Sequence, residues 1–223
     1  MKNNRSLIAS TVLALGFLAG GVAPAHANLL TNGSFQDTGP NLSGTGSYCY
    51  LGIADYRECG TVPGWSGKFQ IIAANSGPWQ NPSTNGGWTS TQGDRIAGIQ
   101  NASYLEQTLV LTAGQFTLSW LDSNRKQYGV GNSYEVQLDG TTLATYLTNP
   151  GDAWAGNSLS FNTSAGTHTL RFEGLRTLND GTSFIDELSL TGVPAQVPEP
   201  QSLALVALAL LGLGAARRGQ RSR

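Results

Sequence analysis

Tyr134-Glu135-Val136-Gln137-Leu138 alternates apolar and polar side chains without a break. A period of two puts the apolar groups on one face and the polar groups on the other, which marks a half-buried β-strand. The same alternation runs through Thr117-Leu118-Ser119-Trp120-Leu121 and His168-Thr169-Leu170-Arg171-Phe172. Outward from these, strands are expected over 29–36, 67–74, 94–100, 103–111, 115–122, 133–139, 142–147, 157–163, 167–174 and 183–191. Asp139-Gly140 sits between two of them as a hairpin turn, and Ala113-Gly114 and Ala165-Gly166 mark others. Short strands at this spacing predict an all-β chain, a two-sheet antiparallel β-sandwich. With 12% charged residues and 29 glycines, the composition suits strands and turns better than solvated helices. Neither a helical stripe nor an internal repeat appears between the two ends.

The ends read as addresses. Residues 1–27 have a basic start (Lys2, Arg5), an apolar stretch from Leu7 to Val22, and small residues at Ala25-His26-Ala27. This predicts an N-terminal signal helix, removed by signal peptidase before Asn28. At the other end a Pro-containing stalk, 193–200, holds Pro198-Glu199-Pro200; an apolar segment, 201–216, and a basic tail, 217–223, follow. As a helix, Leu203–Ala216 would span about 21 Å against a hydrocarbon core of about 30 Å. That is a short transmembrane helix, suited to brief retention, with Arg217 and Arg218 held on the cytoplasmic side. Residues 28–192 would then form the ectodomain. From Asn28 to Pro200 seven basic residues face all fourteen acidic ones, leaving −7. That balance argues against nucleic acid or anionic lipid as a partner.

The Pro-Glu-Pro triplet, apolar helix and arginine cluster together resemble the PEP-CTERM sorting signal of Gram-negative, often biofilm-forming, bacteria. The resemblance covers residues 197–223. It implies recognition by exosortase, cleavage near the triplet, and only transient anchoring in the inner membrane. It also implies a destination at the cell surface or in the extracellular matrix.

Four phrases carry a second resemblance: Asn28-Leu29-Leu30-Thr31-Asn32-Gly33-Ser34-Phe35, Val62-Pro63-Gly64-Trp65, Leu105-Glu106-Gln107-Thr108-Leu109, and Phe184-Ile185-Asp186-Glu187-Leu188-Ser189-Leu190. They look like the galactose-binding-like jelly rolls of carbohydrate-binding modules. The resemblance implies a structural calcium ion between the first strand and the last. Its pattern has an acid after the Asn-Gly-Ser-Phe phrase, where this chain has Gln36 followed by Asp37. Gln36 and Asp186 are therefore the candidate ligands, the amide replacing a full charge by a neutral oxygen.

Catalytic groups are sparse. His168 is the one histidine left after signal removal, so no nucleophile–histidine arrangement can be assembled, and it is expected as a solvent-facing strand residue. The acids Asp122, Glu135, Asp139, Glu173, Asp186 and Glu187 do not reveal from sequence which of them converge. Cys49 and Cys59 lack partners for a zinc site; in an exported protein so close a pair forms a local disulfide, the alternative being two free thiols.

Sugar recognition needs a flat aromatic face flanked by hydrogen-bonding groups. Trp79 and Trp88 lie in the polar stretch 76–93, which reads as a surface loop, and Trp154 lies in another loop beside Asp152. Each loop tryptophan would either bind sugar or fold back as a lid; Trp65 and Trp120 are expected in the core. The expectation is an exported, non-catalytic surface or matrix protein with weak recognition of extracellular polysaccharide. A purely structural or adhesive matrix protein is the alternative, and a polysaccharide-degrading enzyme the third.

Overall fold

The computed structural model describes residues 27–37, 48–53, 57–73, 79, 95–125 and 130–194. The expected terminal helices and Trp88 lie outside these residues. The strands are β1 (Tyr48–Leu51), β2 (Ser66–Ala73), β3 (Arg95–Gln100), β4 (Tyr104–Leu111), β5 (Gly114–Asn124), β6 (Asn132–Leu138), β7 (Thr141–Thr148), β8 (Ala155–Thr163), β9 (Gly166–Gly174) and β10 (Thr182–Pro194). Nine of them fall on expected strands, as alternation required. β10 runs two residues past the expected domain end at 192.

Every strand pair is antiparallel, in the order β7-β6-β9-β4-β2-β3-β10-β5-β8, with β1 added to β2. The array folds on itself at β2. Ser66–Lys68 pair with Tyr104–Glu106 of β4, whereas Gln70–Ala73 pair with Arg95–Gly98 of β3. Gly67 permits this crossing: its φ is 127°, and a Cβ there would lie 2.4 Å from the Tyr104 carbonyl oxygen. Two layers result, sheet I (β1, the second half of β2, β3, β10, β5, β8) and sheet II (the start of β2, β4, β9, β6, β7).

Alternate residues of both sheets point into the interlayer core, among them Phe69, Ile71, Leu118, Trp120, Tyr134, Val136, Leu170, Phe172, Ile185 and Leu190. Burial of such side chains contributes about 1.5–3 kcal/mol each. Trp120 meets Phe172 edge to face, with ring centroids 5.4 Å apart. Its indole Nε1–H donates to the Tyr134 hydroxyl (2.8 Å), which donates to Asp122 Oδ2 (2.6 Å). At one end of the core a polar plug joins Asn124, Thr148, Ser183 and Asn132 by hydrogen bonds. The plug is hydrogen-bonded within itself, while Asn124 Oδ1 and Asn132 Oδ1 are left without a partner.

Two strand expectations change. Residues 29–36 form no strand: Asn32 and Phe35 take φ of 53° and 55°, breaking the extended run. The segment still lies along β10, where Leu29 N–H donates to Leu190 O and Leu188 N–H to Gly33 O. Its close approach requires Gly33, whose Cβ would lie 2.1 Å from the Leu188 carbonyl oxygen. Conversely, Tyr48–Leu51 is a strand that alternation did not reveal. It pairs antiparallel with β2, and the Cys49–Cys59 disulfide, which the structure contains, ties it to the segment that follows.

His168 is a correction. Rather than facing solvent it is buried, with Nδ1 2.7 Å from Asp139 Oδ2 and Nε2 3.1 Å from the Ser164 carbonyl oxygen. The physical reason is parity: His168 shares the inward face of β9 with Leu170 and Phe172.

Candidate functional site

A sandwich sheet ordinarily hydrates its outer face. Sheet I does not. Cross-strand register places Ile72 and Gln70 of β2, Ile96, Gly98 and Gln100 of β3, and Phe184 and Thr182 of β10 on one outward surface. There Ile72, Ile96, Phe184 and Trp79 form a second buried apolar cluster, with Tyr48, Tyr50 and Trp154 packed against it. The outward face of sheet I is thus an aromatic assembly at the end of the sandwich where the loop 149–154 also lies.

The rings are tightly arranged. Trp79 is 3% exposed, meets Tyr48 edge to face at 5.5 Å, and has the Arg125 guanidinium 4.6 Å from its ring centroid. In this arrangement Trp79 is a wall rather than a platform. Trp154 is only partly buried where it packs against this cluster. The Asp152 carboxylate accepts the Asn149 N–H at 2.6 Å, and its carbonyl accepts the Ser123 hydroxyl at 2.7 Å. Asp152 therefore shapes the loop that carries Trp154.

Polar groups interleave with the rings. Arg125 donates to Asp180 at 2.8 Å, and Gln100 Nε2 donates to the other Asp180 oxygen. Gln70 Oε1, Thr182 Oγ1 and Trp79 Nε1 are buried without a hydrogen-bond partner. Gly98 leaves the floor between Gln70 and Phe184 without a side chain. Sequence reading missed Gln70 and Thr182. The available signal was a polar residue inside the run Phe69-Gln70-Ile71-Ile72, where a strand buried on both faces leaves no reason for an amide.

Asp186 lies where β10 parts from β3. The β10–β3 ladder ends at Ile185 opposite Ala97, and the β10–β5 register slips between Asp186 and Ser189, with Glu187 at φ 53°. Asp186 is fully buried and neither carboxylate oxygen accepts a well-formed hydrogen bond. Burial pushes its carboxyl up to about 8. Gln36 is exposed on the N-terminal segment, its Nε2 donating to the carbonyls of Ser34 (2.7 Å) and Arg95 (3.2 Å). A buried carboxylate lacking donors has the oxygen chemistry of a hard-cation ligand. Among the described residues no three acids, histidines or cysteines gather at one point.

Glu135 and Glu173 are cross-strand neighbours on the outer face of sheet II, where Gln137 bridges them and Arg171 pairs with Glu173 and Glu106. That is an ion-pair row on an open sheet.

A family model described as the PEP-CTERM protein-sorting motif matches residues 196–218. No curated protein matches the chain in sequence. Among solved structures, the chain is similar to TmCBM61 in complex with β-1,4-galactotriose, at 15% identity over 75% of this chain and 99% of that one, with a TM-score of 0.44. It is also similar to the CBM22-1 xylan-binding domain of Paenibacillus barcinonensis Xyn10C, at 12% identity over 78% of this chain and 99% of that one, with a TM-score of 0.45. A third similarity is to the 4-O-methyl-α-glucuronidase BtGH115A, at 16% identity over 45% of this chain and 14% of that one, with a TM-score of 0.37. The sorting motif marks the chain for export toward the surface and for exosortase processing.

Proposed function

We propose that this exported chain is a non-catalytic surface or matrix component that recognises extracellular polysaccharide on the outer face of sheet I. The observation that carries this reading is the set of partnerless polar groups beside aromatic rings: Gln70 Oε1, Thr182 Oγ1 and Trp79 Nε1. Each buried group left unsatisfied costs about 1–3 kcal/mol. Sugar hydroxyls supply both donors and acceptors, and the apolar side of a pyranose suits an indole ring. Trp154 provides that ring, positioned by Asp152, while Trp79 closes the wall behind it; Trp88 belongs to the same proposal from outside the described residues. Calcium held by Asp186 and Gln36 would fasten β10 to the N-terminal segment without taking part in sugar contact.

The test is a glycan array followed by titration calorimetry on residues 28–194, the span that carries every described strand. Trp154→Ala is expected to weaken binding at least about 10-fold, or about 1.4 kcal/mol, with an unchanged far-ultraviolet spectrum. Thr182→Val should act in the same direction. Binding indifferent to both changes removes this site. Absence of binding to any glycan favours a purely structural or adhesive role. Turnover of a polysaccharide, abolished by one carboxylate change, would make the protein an enzyme.

A further inference from the structure

The two flanks of the sandwich are unlike. On one, β1 pairs with β2, and residues 57–59 bond back onto Tyr50 of β1. On the other, β8 ends sheet I and β7 ends sheet II, so among the described residues neither has a strand on its outer edge. A bare strand edge presents a row of backbone N–H and C=O groups that another strand can complete, and sandwiches usually guard such edges with lysine, proline, a bulge or a covering loop.

Among the described residues β8 has none of these guards. Its sequence, Ala-Gly-Asn-Ser-Leu-Ser-Phe-Asn-Thr, contains no charge and no proline. It pairs with β5 over nine consecutive positions without a register shift, so the edge is straight. β7 is also uncharged, but its pairing with β6 slips between Val136 and Gln137. The outward face next to β8 is neutral as well: Ser158, Ser160 and Asn162 lie beside Ser119, Thr117 and Gln115 of β5, and beyond them Ser189 and Thr191 of β10. The charged row of the molecule is elsewhere, on sheet II. In a domain that is acidic overall, this is a flank where two identical surfaces meet without like charges opposed.

We propose that β8 pairs with the β8 of a second copy of this chain, antiparallel across a two-fold axis, so that two copies of sheet I become one continuous sheet. An edge of this chemistry takes a strand as its partner, and a strand centred on Leu159 is complementary to itself: Ser158 faces Ser160 of the second copy and Gly156 faces Asn162. This pairing is independent of the sugar site, since none of its residues belongs to that site.

The pairing is read by sedimentation velocity of residues 28–194 over a range of concentrations. The expected result is a concentration-dependent dimer, lost in Ser160→Lys and in Ser158→Pro and kept in Thr145→Lys on β7. As a check that does not depend on disruption, Ser158→Cys combined with Ser160→Cys is expected to give a disulfide-linked dimer on mild oxidation, because each new thiol lies opposite one from the other copy. A monomer at every concentration, a dimer that survives both β8 changes, a dimer lost only in Thr145→Lys, or the absence of the cross-link would overturn the proposal.

Discussion

His168 shows how a single side chain can fasten two turns. Its ring lies between the Asp139 carboxylate on the β6–β7 turn and Thr163–Ser164 on the β8–β9 connection, so it ties sheet II to the last residues of sheet I. A carboxylate at Nδ1 and a carbonyl at Nε2 are both acceptors, and only the doubly protonated ring donates to both. The hydrogen bond to Asp139 accordingly raises the His168 pKa above 6.5, and the same bond lowers that of Asp139 below 3.8. The two shifts bound a window. The histidine contribution is complete below pH 6.5 and fades as pH rises through the higher folded value, whereas the Asp139 contribution is complete above pH 3.8 and fades as pH falls through the lower folded one. His168→Gln is expected to lower stability by about 1 kcal/mol near pH 5 and by much less near pH 9, since an exposed carboxylate partner discounts the gain. Urea titrations of both proteins at the two values check this, and an equal loss at both would show that charge plays no part. The inward placement was available in the sequence: His168 has the parity of Leu170 and Phe172, and its polar neighbours obscured that.

At the scale of elements, the four phrases that resemble jelly-roll modules meet at one seam. Gln107 accepts the Thr31 N–H at 2.8 Å and donates to the Thr31 carbonyl at 3.0 Å, doing for the N-terminal segment what a neighbouring strand would do. The indole of Trp65 donates to Asn32 O at 3.0 Å, and the Asn28 side chain accepts the Leu190 N–H and donates to Leu188 O. These residues spell a clamp that closes β10, which is why they were legible as a fold and silent about a ligand. Alternation made nine strands readable because each has one face in the core. It failed for 29–36, where side-chain amides replace the ladder, and for Tyr48–Leu51, whose tyrosines pack on the outer cluster while Cys49 points to the core. The seam also bears on calcium. Asp186 lies where β10 exchanges β3 for this segment, so an ion there would join the two. At a hundredfold excess over its dissociation constant calcium would add about 2.7 kcal/mol, or roughly 5–10 °C in a domain of this size. The expected outcome is an upward shift of the melting point when calcium replaces chelator, absent in Asp186→Asn. An identical shift in both proteins would place any bound ion elsewhere.

For the whole molecule, strand direction decides what can happen before and after processing. Thr182 begins β10 beside Arg125 and the aromatic face, and Pro194 ends it opposite Gly114, so the exit toward the sorting motif lies at the far end from Trp154. At about 3.3 Å per residue, the eleven residues of β5 separate these ends by about 35 Å. A copy still held by its C-terminal segment would therefore turn the proposed sugar face away from the membrane. Antiparallel pairing of β8 imposes the opposite relation between copies: it reverses one sandwich against the other and sends the two Pro194 ends in opposite directions. Two copies anchored in the same bilayer cannot satisfy that geometry, and a released pair can. The Ser158→Cys, Ser160→Cys protein is thus expected to cross-link after exosortase cleavage and to remain uncross-linked in a host lacking the protease. Oxidation of intact cells followed by non-reducing electrophoresis reads this directly, with the Cys49–Cys59 pair internal to each chain and silent in the assay. Equal cross-linking in both hosts would mean that the copies associate in parallel, with Ser158 and Ser160 meeting in some arrangement other than a two-fold antiparallel sheet.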